Sequence, residues 1–150
     1  MPSIKGPILV AAAVIENAHG EILIAQRPDQ NPIGGGQWEF PGGKVEPGED
    51  PRDCIVREIR EELGVEIEAF ETRGVFSYVY REGTGGARLA VPLHIVMIVY
   101  QARVRNRSQD EVVFKLTGVQ AVKWVSPKVR PTETFAPADI EIVDEIWLSS

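Results

Sequence analysis

The chain is poor in the residues that build redox and zinc sites. It has one cysteine, Cys54, and two histidines, His19 and His94. A single cysteine excludes an internal disulfide, and a reducing cytoplasm is the simplest setting for it. The two histidines do not stand at metal-ligand spacing, so neither is given a role. Long apolar runs are also missing. Residues 8–15 fall far short of the roughly 20 residues a membrane helix needs, and residues 1–7 do not resemble a secretory leader. Positive charge is in deficit: 16 Lys and Arg stand against 22 Asp and Glu, a net charge of −6. That balance argues against stable nucleic-acid binding and against membrane binding. It also makes a polyanionic substrate unwelcome unless divalent cations neutralise the site. There is no internal repeat, low-complexity tract or linker. The 150 residues suit one domain spanning 1–150, large enough to bury about 70% of the unfolded surface. Oligomeric state is not legible.

What is present reads as strands broken twice by a helix. Residues 8–15 suggest a strand buried on both faces, 17–20 a turn and 21–26 a second strand, so that the two form a hairpin. Residues 29–36 form a Gly, Asn and Pro loop, and Trp38-Glu39-Phe40 a short extended piece ended by Pro41-Gly42-Gly43. Residues 65–80 read as strand, interrupted at Arg73-Gly74, and 81–87 as a glycine-rich tip. Residues 93–104 carry the strongest strand pattern. Residues 106–118 are polar and irregular, and 121–125 form a short strand with Trp124. The segment 132–136 leads into a helix over 137–148 with Ile140, Val143 and Trp147 on one stripe. The order predicts an α/β fold, a mixed sheet with a helix on each face.

One helix carries chemistry. Asp50 is placed as N-cap, Pro51 at the first helical position and Gly64 as the C-terminal cap. At about 100° per residue from Arg57, Ile55, Val56, Ile59 and Leu63 form the core face, while Glu61, Glu58 and Glu62 fall near 40°, 100° and 140°. Three ionised carboxylates on one side repel each other, which a bound divalent cation would reverse. Mg²⁺ takes hard oxygen ligands, few of them from protein, with water and phosphate completing the shell. Arg57 can hold a carboxylate in bidentate fashion. Alone, such a run is ordinarily a solvated face laced with ion pairs. The turn Glu39-Phe40-Pro41-Gly42-Gly43-Lys44 changes the reading, because it brings backbone close to the same helix.

The positions Gly43, Glu49, Arg57-Glu58-Ile59, Glu61-Glu62 and Gly64-Val65, at their offsets over residues 43–65, resemble the Nudix box of the Nudix hydrolases at every specified position. Arg27, Trp38-Glu39-Phe40-Pro41-Gly42-Gly43 and Trp124-Val125-Ser126-Pro127 resemble the MutT-type nucleoside triphosphate pyrophosphohydrolases. The resemblance implies an α/β/α sandwich and hydrolysis of nucleoside triphosphates, oxidised purine deoxynucleotides such as 8-oxo-dGTP among them, to a monophosphate and pyrophosphate. It implies Mg²⁺ or Mn²⁺ as cofactor, bound by Glu61, Glu62 and the Gly42 carbonyl. Glu58 is either a further ligand or the general base, and Arg57 and Glu49 orient the carboxylates. Arg27, Glu39, Phe40 and Asp139 fall to substrate binding. Asp139 matches a base-reading asparagine of MutT-type enzymes. Two hydrogen bonds from guanine would suit its carboxylate, although a plain first-turn acid fits as well. One departure stands out. Many relatives carry a glutamate a few residues before the residue matching Trp124, and here Val119-Gln120-Ala121-Val122-Lys123 has no acid; Gln120 could hydrogen-bond a water but is no strong base. Asp110 and Glu111 could substitute.

Other residues have plainer readings. Trp38, Trp124 and Trp147 read as core, with Trp38 also able to border a base pocket. Cys54 reads as a small packing residue. Tyr78 and Tyr80 hint weakly at dinucleoside polyphosphates. Other substrates remain open: ADP-ribose, a dinucleoside polyphosphate or a capped RNA end. So does a non-catalytic nucleotide-binding module, which the intact box disfavours. Arg81 stands where an ADP-ribose enzyme would place a proline.

Overall fold

The computed structural model describes residues 3–105 and 112–147. Strand β1 (Lys5–Ile15) is the spine. It pairs in parallel with β6 (Leu93–Val104) and antiparallel with the short β4 (Gly42–Lys44). Strand β5 (Ile67–Tyr80) pairs antiparallel with β6, completing a mixed sheet of order β4-β1-β6-β5. A second sheet holds β3 (Trp38–Glu39), β2 (Ile22–Gln26) and β7 (Ala121–Val125), in the order β3-β2-β7.

The expected hairpin of the first two strands does not form. They touch through one bridge, Glu16 to Ile22, and then enter different sheets. The turn is there: Asn17 Oδ1 accepts from the backbone N–H of His19 at 3.0 Å and of Glu21 at 2.9 Å. Its direction is set by pairing with distant partners, β6 for β1 and β7 for β2.

Side chains alternate along a strand, and β1 uses both faces. Ala12 and Val14 join the core that contains Ile142, Val143 and Trp147 of helix α2 (Ile140–Trp147). Ala11, Ala13 and Ile15 join the core that contains Ile55, Ile59 and Leu63 of helix α1 (Pro51–Leu63). The two helices therefore cover opposite faces, as in an α/β/α sandwich. The alanines of β1 are fully buried, and their small side chains let helices approach from both sides.

Helix α1 begins and ends where its caps place it. Asp50 accepts from Arg52 N at 2.8 Å, and Gly64 sits in the left-handed region with φ 69°. The second helix departs from expectation. Residues Pro137–Asp139 form a 3₁₀ turn and α2 starts after it. Ile140 is 42% exposed, and Ile142 takes its place in the core beside Val143 and Trp147. The interruption expected at Arg73-Gly74 is present as register shifts in the β5–β6 ladder. Among the described residues no helix is long and apolar enough to cross a membrane.

Candidate functional site

The site is assembled around the guanidinium of Arg57. Its Nε donates to Glu49 Oε2 at 2.7 Å and its Nη2 to Glu49 Oε1 at 3.0 Å, a bidentate pair. Its Nη1 donates to Glu58 Oε1 at 3.0 Å and to Glu61 Oε2 at 3.1 Å. One rigid fork thus holds three carboxylates, two of them on its own helix. Hydrogen bonds from Arg57 pull the Glu49 carboxyl down to about 2. Cys54, fully buried, places its Sγ 3.4 Å from the Lys44 carbonyl. Burial and the nearby Glu49 push its thiol up to about 12, so it packs as an unreactive group.

Strand β4 passes directly over this helix. A Cβ on Gly43 would lie 2.2 Å from the Glu58 carboxyl carbon, and one on Gly42 would lie 2.0 Å from the Ala11 carbonyl oxygen. Both glycines are required by close approach rather than by dihedral angle. The C-terminal end of α1 is held by a segment whose role the sequence did not disclose. Lys115 N donates to the Leu63 carbonyl at 3.0 Å, and Thr117 N to the Glu62 carbonyl at 2.9 Å.

Beside the helix opens a cavity of about 430 Å³. Its floor is apolar, from Val10 and Ala12 of β1 and Leu93, Ile95 and Met97 of β6. Gly42, Gly43, Lys44 and Glu62 line one part of it, while Arg27, Glu39, Phe40, Tyr80 and Asp139 line another. Here Arg27 Nε donates to Glu39 Oε1 at 2.7 Å, and Nη1 to the Ile33 carbonyl at 2.7 Å. Asp139 is 2% exposed, and its Oδ1 accepts from the Phe40 backbone N–H at 3.0 Å. Burial, then the nearby Glu39 charge, raise the Asp139 carboxyl to about 7. Burial also raises that of Glu39, with Arg27 opposing it. Asp139 is therefore no exposed first-turn acid. The Phe40 ring stacks on Phe135 at 5.8 Å.

Among the described residues no three His, Cys, Asp or Glu side chains converge as a ready-made cage. Glu58 and Glu61 lean instead on Arg57. Glu62 is different. It is half-buried, not exposed as a helix-face glutamate would be, and its Oε2 is buried without a hydrogen-bond partner. Burial, then the charges of Glu39, Glu58 and Glu61, push its carboxyl up to about 8. A buried oxygen without a donor is costly unless something positive arrives. The residues fit a hard cation that takes few protein ligands.

The remaining candidates separate clearly. Gln120 is exposed and lies outside the cavity lining; it binds Asp29 through Oε1 to N at 3.1 Å and Nε2 to Oδ1 at 3.0 Å. Asp110 and Glu111 lie outside the described residues. Trp147 is core, Trp38 and Trp124 pack half-buried against the two cores, and Tyr78 sits edge-on to Tyr80 at 4.9 Å. His94 faces Ser77 at 2.7 Å. Tyr80, which with Tyr78 hinted weakly at dinucleoside polyphosphates, lines the cavity wall, and Tyr78 is not among the lining residues.

The model of the NUDIX domain family matches residues 6–146. The CTP pyrophosphohydrolase of Escherichia coli K12 is 36% identical over 138 residues, covering 91% of this chain and 89% of that protein. The 8-oxo-dGTP diphosphatase of Proteus vulgaris is 44% identical over 63 residues, 42% of this chain and 55% of that protein. In structure, the MutT protein of Methanosarcina mazei Go1 superposes with a TM-score of 0.72 at 24% identity, covering 93% of this chain and 91% of that one, a likeness of fold.

Proposed function

The chain belongs to the NUDIX domain family, and from that premise we propose that this Nudix hydrolase cleaves nucleoside triphosphates to a nucleoside monophosphate and pyrophosphate. Nudix hydrolases act on small nucleotide substrates and generally require a divalent metal. We take Mg²⁺, with Mn²⁺ as a substitute, for this chain. The observation that carries the reading is one cavity lined both by Glu62, with its unpartnered buried oxygen, and by the enclosed Arg27–Glu39–Asp139 group. A triphosphate nucleotide has the matching polarity: anionic phosphates at one end and a flat hydrogen-bonding base at the other. The relatives named above, a CTP pyrophosphohydrolase and an 8-oxo-dGTP diphosphatase, support the substrate class. The single buried Cys54 accords with a reducing cytoplasm.

Glu61, Glu62 and the Gly42 carbonyl would hold the cation. When bound, it neutralises phosphate oxygens and lowers the pKa of a coordinated water. The chain's own residues do the rest. Arg57 fixes Glu58 and Glu61 in place, and Glu49 in turn fixes Arg57. Glu58, pressed against Gly43, is the group we assign to accept the proton of the attacking water. Asp139 holds the Phe40 backbone through Oδ1 and offers its second oxygen to N–H groups of the base. Guanine supplies two adjacent donors, and we place guanine nucleotides, 8-oxo-guanine included, first.

A panel of GTP, dGTP, 8-oxo-dGTP, CTP and ATP, each with Mg²⁺ and with excess chelator, tests the reading when products are identified by chromatography. Monophosphate and pyrophosphate should appear, and only with the metal. Release of orthophosphate, or turnover confined to ADP-ribose or dinucleoside polyphosphates, would overturn it.

A further inference from the structure

Tyr80 ends strand β5 and is 2% exposed, yet its ring lines the cavity beside Arg27 and Asp139. Its hydroxyl oxygen accepts the Ala138 backbone N–H at 3.1 Å. A phenol has one O–H donor besides its acceptor lone pairs. The acceptor side is used by Ala138, and among the described residues no hydrogen bond takes up the O–H. Arg27, Glu39 and Asp139 line the same cavity as Tyr80. Glu39 is engaged by Arg27, and Arg27 spends Nε and Nη1 on Glu39 and the Ile33 carbonyl. Asp139 uses Oδ1 for the Phe40 backbone N–H, and among the described residues no hydrogen bond is made to its Oδ2.

We propose that the Tyr80 hydroxyl is a specificity determinant that donates to a carbonyl oxygen of the substrate base, while Asp139 accepts from a neighbouring base N–H. The pair is a donor beside an acceptor, so it suits bases with an oxo group beside an N–H or amino group. Guanine (O6 beside N1–H) and uracil (O4 beside N3–H) qualify; cytosine's oxygen is flanked by N3, which carries no hydrogen, and adenine has no oxo group. A buried donor left without an acceptor is penalised more heavily than an exposed one. The inference rests on the nucleotide reading above and adds to it the group that disfavours adenine and cytosine.

The test uses sulfur for oxygen. Values of kcat/KM are compared for GTP against 6-thio-GTP and for UTP against 4-thio-UTP, in the wild type, Tyr80→Phe and Asp139→Asn. The thiocarbonyl is a weak acceptor in an almost unchanged shape. Wild type should disfavour the thio analogue of its better base by about tenfold, the scale of one hydrogen bond. Tyr80→Phe should bring that ratio to within about twofold by losing activity on the oxo substrate. Asp139→Asn should lower both members of a pair and keep their ratio. A ratio taken within one protein is independent of its folded fraction, so loosening of the Ala138 turn cannot imitate the result. A wild type that treats oxo and thio substrates alike, or a Tyr80→Phe variant that keeps the wild-type ratio, overturns the assignment. If the wild type turns over no nucleoside triphosphate, the parent reading has failed, and that is visible before any variant is made.

Discussion

Gly43 and Glu58 stand too close for a methyl group to pass between them: a Cβ on Gly43 would lie 2.3 Å from Glu58 Oε2. The neighbour that must yield is the far end of a flexible side chain. Gly43→Ala should therefore displace the carboxylate and lower kcat by about 10² or more, the cost of misplacing a reacting group by an ångström, with little change in Tm. Gly42→Ala meets the Ala11 backbone oxygen instead, so it should cost about 1–3 kcal/mol of stability. Assays paired with thermal melts separate the two. Equal effects of both variants on Tm would contradict this account.

Removal of a carboxylate from α1 should disable the enzyme without unfolding it. Glu61→Gln and Glu62→Gln are each expected to lower kcat by orders of magnitude while circular dichroism stays native. Glu61 has a largely exposed side chain (58%), so its replacement should leave the metal-free Tm unchanged. Glu62 buries an oxygen without a partner, so Glu62→Gln should raise the metal-free Tm by relieving a buried carboxylate. A fall in Tm for Glu62→Gln would show that its oxygen has a partner after all.

Asp139 gives a stability signature. Its carboxyl rises from 3.8 in the unfolded chain to about 7 in the fold. The fold therefore favours the protonated acid, and Asp139 disfavours folding progressively as pH rises from about 4 to 7. The groups facing it are Glu39, Arg27 and Tyr80. Asp139→Asn keeps an oxygen for the Phe40 N–H and removes the titration. Its stability advantage over wild type should be absent below about pH 4 and grow up to about pH 7 in urea melts. A constant difference across that range would remove Asp139 from the titrating groups.

Gln120 should matter little to catalysis. It fastens the loop after β2 to the start of β7 through two exposed hydrogen bonds to Asp29. Gln120→Ala should change kcat by less than about threefold and lower stability by about 1 kcal/mol. Glu58→Gln should cost far more activity. Loss of activity in a folded Gln120→Ala protein would return this position to the chemistry.

Legibility in the sequence followed how local the cause was. Asp50, Pro51 and Gly64 bound α1 because caps act within a few residues, and the 93–104 pattern found β6 because alternation is read along one strand. The grouping of Glu58, Glu61 and Glu62 on one side of α1 was legible for the same reason, whereas the set of carboxylates that Arg57 gathers was not read from it. The separation of β1 from β2 was not, since each strand is claimed by a partner far along the chain. Nor was the burial of Asp139, which depends on Phe40, nearly one hundred positions away (a sequence separation of 99). The capping of α1 by Lys115 and Thr117 had no sequence signal, because it uses only backbone N–H groups.

Strand β1 divides labour by parity. Its odd residues, Ala11, Ala13 and Ile15, seat helix α1, while Val10 and Ala12 form part of the cavity floor. Substitutions at the even positions would reshape the cavity floor from the face of β1 opposite helix α1 and its carboxylates. Diversification of substrate choice is thereby uncoupled from preservation of the reaction, and a laboratory search for new specificities has its starting positions: Val10 and Ala12, with Ile95 and Met97 across the ladder.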